Sequence, residues 1–192
     1  MDENSQLETV SIPLGGGLAA DVRPLMPGDT SLLEAGFENL SHSSRFARFG
    51  MGMDHLSKQE LRYLTDVDQH HHVAWGALIA GEAAGVARYL VLPDDVSAEI
   101  AVTVVDRFQR LGLGRQLFQA LVAVARHDGL AAFRFEVDPS NEPVHWFMRD
   151  IAGGYPEPGN SLGEVSIVNL PEGEMDRQLV EMMDSYRQPR GD

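Results

Sequence analysis

Cysteine is absent from the 192 residues. That excludes disulfides, thiolate metal sites and a cysteine nucleophile. Lysine is almost absent: Lys58 is the only one, so basic charge is carried by arginine. Arginine suits fixed, forked contacts with phosphate and carboxylate. No apolar run reaches membrane-spanning length. The acidic start MDENSQLETV does not read as a signal or transit peptide, so the expected location is the cytoplasm. Basic residues are scarce as a class, 15 against 29 Asp and Glu, for a net charge of −14. Neither nucleic acid nor a membrane is therefore an expected partner, because phosphate binding requires a basic face. A cationic substrate would be drawn in by such a field, although acidity also serves plain solubility.

Two phosphate-binding signatures are missing as well. No Lys-Ser/Thr pair follows a glycine loop, as a Walker A loop requires. No G-x-G-x-x-G occurs, as a dinucleotide fingerprint requires. What is present is the stretch AEIAVTVVDRFQRLGLGRQLFQALVAVAR, residues 98–126. Residues 99–105 are rich in β-branched side chains and read as a strand. Residues 106–111 connect it to a helix, where Leu113, Leu117, Leu121 and Val124 recur at helical spacing. Gly112 and Gly114 fall in the first turn of that helix. Its free N–H groups and macrodipole favour an anion, and glycine lets a phosphate approach the backbone closely.

Elsewhere the pattern predicts strands over residues 9–13, 18–24, 73–79, 84–92, 131–137 and 163–170. Helices are expected over 30–39, from a Ser57/Glu60 capping box to about 65, over 141–150 and over 174–186. Residues 41–53 read as irregular. Pro27-Gly28-Asp29 is a turn in which Asp29 or Thr30 caps the first helix. Nothing divides the chain, so residues 1–192 are expected to form a single α+β domain with a mixed sheet. The C-terminal helix leaves a homodimer open, but it serves equally well to cover its own sheet.

Gln109-x-x-Gly112-x-Gly114 after a Val-rich strand resembles the acyl-CoA pyrophosphate motif of the GNAT superfamily of N-acyltransferases. The resemblance spans roughly residues 18–170, with 1–17 as an N-terminal extension and 171–192 as a C-terminal helix and tail. It implies the GNAT fold: a central, mostly antiparallel mixed sheet, splayed in the middle and flanked by helices. It implies acetyl-CoA as co-substrate, with its pantetheine arm against Val104 and Val105. The phosphates would lie on the amides of Gln109, Arg110, Leu111, Gly112, Leu113, Gly114 and Arg115, and Asn141 would sit near the arm. Arg110-Leu111 departs from the small-basic pair usual there. The segments SHSSRF, LSKQEL and LTDVD, with AEIAV followed by VVDRFQ, resemble the bacterial Pat-type protein lysine acetyltransferases.

Acyl transfer to an amine requires a base, because an alkylammonium of pKa ~10.4 is not a nucleophile. It also requires donors for the developing oxyanion, here a backbone amide near Val104–Val105. Glu99 is the candidate base. It is an acid in an apolar strand, at the position the Pat-type resemblance assigns to a glutamate base, and partial burial would tune it. The alternative is a glutamate paired with Arg88. The tyrosine acid common in the superfamily, seven residues after the Asn, is replaced by Met148, with Trp146 and Phe147 beside it; either the chain lacks that acid, or Tyr155 or water substitutes. No metal site is expected, since consecutive His70, His71 and His72 cannot converge on one ion. One of the three is expected to face the substrate pocket. Asp54, His55, Asp66 and Asp68 could rim a site for a cation. Arg45 and Arg48 either meet phosphate or fix their loop. The expected activity is transfer of acetyl from acetyl-CoA to a primary amine, of a protein lysine or a small cationic acceptor, in a ternary complex. The alternative is a CoA-binding sensor with weak or no turnover.

Overall fold

The computed structural model describes residues 8–49, 53–136, 144, 147–150 and 162–188. Seven strands lie side by side in chain order: β1 (Val10–Pro13), β2 (Ala19–Pro24), β3 (His72–Ile79), β4 (Glu82–Val91), β5 (Ser97–Val104), β6 (Ala132–Glu136) and β7 (Leu162–Ser166). Every neighbouring pair is antiparallel except β5–β6, which is parallel. A parallel pair needs a crossover, and the helix α4 (Leu113–His127) supplies it. The other described helices are α1 (Thr30–Glu38), α2 (His42–Phe49), α3 (Lys58–Thr65) and α5 (Asp176–Arg187).

The main core lies between the sheet and α4. Alternate residues of β3, Val73, Trp75, Ala77 and Ile79, are buried in the same cluster as Leu117, Phe118 and Leu121 of α4. These are the positions whose 2.0 and 3.6 periods are visible in the sequence. A second, smaller cluster gathers Phe37, Leu40, Leu56, Leu61, Leu64 and Val105 beneath α1 and α3.

Three expectations need correction. Residues 42–49 are the helix α2 rather than irregular chain. Its start is held from a distance: Ser41 Oγ accepts from the Ser44 N–H at 3.2 Å, and Asp106 accepts from the Ser41 N–H, Ser41 Oγ and Ser44 Oγ at 2.7–2.8 Å. A carboxylate 65 residues away in sequence is invisible to local propensity. The last strand ends at Ser166, and Ile167–Asn169 form a 3₁₀ turn. Asp29 caps no helix with its side chain. Its carboxylate takes both Arg23 nitrogens, at 2.7 and 2.5 Å, and the Met26 N–H at 2.7 Å. The capping box at Ser57 and Glu60 forms as expected. Val144 and residues 147–150 are helical. Asn141, Trp146, Tyr155 and the end of the strand at Val137 lie outside the described residues.

Arg23 and Asp29 are both buried, with side chains 9% and 8% exposed. Removing one partner strands a charge in the interior, which costs about 3–5 kcal/mol. Asp29→Ala is expected to lower unfolding stability by that amount in urea melts, and Arg23→Met with Asp29→Leu to recover much of it.

Candidate functional site

Strand β5 pairs with β4 along its whole length, from Ala98↔Val91 to Val104↔Gly85. With β6 it pairs at three positions only, Ser97, Ala98 and Glu99. Beyond Glu99 the two strands part, leaving the β6-facing edge of residues 100–104 without a paired strand among the described residues. The splay expected from the sequence is therefore present, and Glu99 stands at its apex.

The chain then turns into α4. The backbone of Val105 is engaged: its N–H donates to the Ala84 carbonyl and its carbonyl accepts from the Phe108 N–H, while the residue, 3% exposed, lines a cavity. Of the backbone pairing expected at Val104 and Val105, both polar groups of Val105 are already engaged. Gln109 Nε2 donates to the Val104 carbonyl at 3.1 Å, tying the turn to the open end of β5. Arg110 and Gly112 adopt left-handed φ values of 60° and 92°. The backbone amides of Arg110, Leu111, Gly112, Leu113, Gly114 and Arg115 bond to no acceptor among the described residues. Such a run of free amides at a helix start is an anion-binding concavity. A Cβ on Gly114 would lie 3.6 Å from Val104 Cγ2, so the helix start and the open strand end adjoin. Gly15, in the turn after β1, donates its N–H to the Leu111 carbonyl at 2.9 Å and supports the turn from behind. Arg110 is exposed, whereas Arg115 pairs with Asp150 at 3.0 Å.

Glu99 is exposed rather than partly buried, and it makes no hydrogen bond or ion pair among the described residues. The pairing with Arg88 does not form. Glu99 shares a face of the sheet with Ala101 and Thr103, as expected from the strand period. Between that face and α1, α2 and α3 lies a cavity of about 80 Å³. Its walls are mostly apolar, including Leu33, Phe37, Val86 and Ala101, but Arg23, Arg48 and Arg88 also line it. Arg45 answers to its loop: it donates to the carbonyls of Glu38, Leu40, Met53 and Asp54 and lies over the Phe37 ring. Met148 is 3% exposed in the main core, so it is a packing residue rather than a replacement acid.

The histidines hold no metal-like arrangement among the described residues. Asp68 accepts from the N–H groups of His70, His71 and His72 at 2.8–2.9 Å, which shapes the loop rather than an acidic rim. His72 Nε2 lies 3.2 Å from Arg88 Nη1 and its ring packs against Tyr63. Burial, then the charge of Arg88, push the imidazole down to about 4. It is neutral near pH 7 and accepts from Arg88. Arg48, expected to meet phosphate or to fix its loop, and Arg88, expected as a possible partner of Glu99, both line the cavity. Asp106 holds the start of α2, a role that its place in the VVDRFQ segment does not signal.

Two consequences are measurable. In the unfolded chain His72 titrates near 6.5, above its folded value of about 4. Between those limits the unfolded state binds the extra proton, so stability falls as pH drops from about 6.5 towards 4. His72→Gln is expected to flatten that limb in urea midpoints measured at pH 7 and pH 5. Arg110 carries a left-handed backbone that costs a non-glycine residue about 1–2 kcal/mol. Arg110→Gly is expected to stabilise the fold by up to about 1 kcal/mol in the same assay.

The sequence profile of the Acetyltransferase (GNAT) family matches residues 37–153. An acetyltransferase of Pseudomonas aeruginosa is 31% identical over 134 residues, which cover 68% of this chain and 70% of that protein. Acetyltransferase Pat of Mycolicibacterium smegmatis is 31% identical over 132 residues, 66% of this chain but only 39% of Pat. The crystal structure of the GNAT domain of S. lividans PAT superposes with a TM-score of 0.75 at 28% identity, covering 82% of this chain and 96% of that one. With its splayed sheet, its amide-lined turn and these relatives, the chain belongs to the GNAT acetyltransferase family, whose members transfer an acyl group from acyl-CoA.

Proposed function

We propose that the protein transfers the acetyl group of acetyl-CoA to a primary amine, with Glu99 as the base. The observation that carries this reading is the placement of one unengaged carboxylate at the point where β5 and β6 part. The residues present fit acetyl-CoA. The free amides of residues 110–115 suit its pyrophosphate, and the open edge of residues 100–104 suits its extended arm. The family resemblance assigns Asn141 a place beside that arm. Bound there, acetyl-CoA supplies an activated acyl thioester. No metal is needed for any step.

An amine approaching from the cavity side arrives as an ammonium of pKa ~10.4 and must lose a proton. Glu99 accepts it, directly or through a water, and its exposure lets that proton pass on to solvent. The apolar cavity walls keep competing water from the reacting atoms. The Pat-type resemblance favours a lysine amine of a protein as acceptor, in the cytoplasm. A small polycation fits less well than the net charge suggested, because Arg48 and Arg88 line the cavity.

Glu99→Gln is expected to lower kcat about 100-fold or more while leaving acetyl-CoA affinity within about twofold by calorimetry. Free-thiol release with a panel of lysine proteins, amino acids and polyamines reads the first quantity. Acetyl-CoA binding without turnover on any acceptor would instead favour a sensor.

A further inference from the structure

Two of the three arginines in the cavity wall lack a carboxylate. Arg23 is neutralised by Asp29, the one acid that lines the cavity among the described residues. Arg88 is 7% exposed, so it is more than nine-tenths buried. Its Nη1 donates to the Leu64 carbonyl at 3.1 Å and to His72 Nε2 at 3.2 Å, both neutral acceptors. Its Nε and Nη2 reach no acceptor among the described residues. Arg48 makes no hydrogen bond or ion pair there, and packs over the ring of its neighbour Phe49 at 5.1 Å.

The two guanidiniums also feel each other. Burial lowers the pKa of both, and the charge of Arg48 lowers that of Arg88 further, to about 10. Glu99 acts the other way on Arg48, which places that guanidinium within electrostatic reach of the base. Buried charges without counter-ions are costly. This chain has 29 acidic residues with which to neutralise them and does not do so here. Donors left open in an apolar wall beside a reactive carboxylate make a built site for an anion that comes from outside.

We propose that Arg48 and Arg88 form an anionic subsite of the acceptor pocket, which takes a carboxylate carried by the acceptor close to its reacting amine. The claim rests on the acetyltransferase reading and narrows it to a substrate class. The carboxylate has two possible sources, the acidic side chain of a residue beside a target lysine or the free carboxylate of an amino-acid-sized molecule. Either source replaces part of the hydration that the two guanidiniums lose on burial. It also fixes the amine at a constant distance from Glu99. A polyamine or aminoglycoside offers no such anchor and is repelled.

The test uses acceptors matched in everything but charge. Nα-acetyl-lysine is compared with its carboxamide, and a Lys-Glu peptide with the corresponding Lys-Gln peptide, by acetyl-CoA-dependent thiol release. The carboxylate member of at least one pair is expected to have kcat/KM about 10- to 100-fold higher. The pair that shows the preference identifies the source. In Arg48→Gln that ratio should collapse towards one, and Arg48→Lys should restore part of it. Arg48 is chosen over Arg88 because it is only half-buried and holds no hydrogen bond among the described residues, so its replacement disturbs the fold less. Calorimetry with glutarate, which has no amine, supplies a readout independent of turnover: binding to the wild type and its loss in Arg48→Gln. Turnover with equal kcat/KM within both pairs overturns the subsite and leaves the acetyltransferase reading intact. If no acceptor turns over, glutarate decides: binding that depends on Arg48 supports the subsite even as the acetyltransferase reading fails, and absence of binding overturns it.

Discussion

The arrangement depends on a parallel strand pair that stops early. Strands β5 and β6 share three residue pairs and then diverge. A sheet edge with unpaired amides and carbonyls is ordinarily a liability. Here the edge is interior, flanked by α4 on one side and by the α1–α3 layer on the other, so it offers pairing to an extended ligand and not to another chain. The parting also sets the place of Glu99. Glu99 is the last residue of β5 to be paired on both sides, held in register by Leu90 and Arg134. Its backbone is fixed by two neighbours while its side chain stays accessible.

Much of this was legible in the sequence because it is local. The β-branched run of β5, the 3.6 period of α4 and the two glycines between them specify a strand, a turn and a helix within thirty residues. The same holds for the Ser57–Glu60 cap and for the strands β3 and β4, whose turn residues bound them. The family motif added the splay, which no propensity scale encodes. What escaped was non-local. Helix α2 depends on Asp106, and Ser41 and Ser44 read as loop residues until that carboxylate is brought to them. Asp29 looked like a cap because caps are its commonest local use; only the fold delivers Arg23 to it.

The electrostatics of the cavity were hidden from the sequence for a related reason. A net charge of −14 is a property of the whole surface, and it suggested a cation as the guest. The cavity obeys its own wall. Two guanidiniums in an apolar lining outweigh distant carboxylates, since the intervening water screens the latter and not the former. The chain's preference for arginine over lysine, evident from composition, acquires a local meaning there. A guanidinium keeps its charge under burial that would neutralise an ammonium.

Asp106 links the two halves of the site in a way that neither half displays alone. It lies between the end of β5 and Gln109, and through three hydrogen bonds it carries the first turn of α2, the helix on which Arg48 is mounted. The cavity wall that carries Arg48 is thus tied to the turn that carries the free amides. Through those three hydrogen bonds the turn and α2 are mechanically connected, so a displacement of one bears on the other.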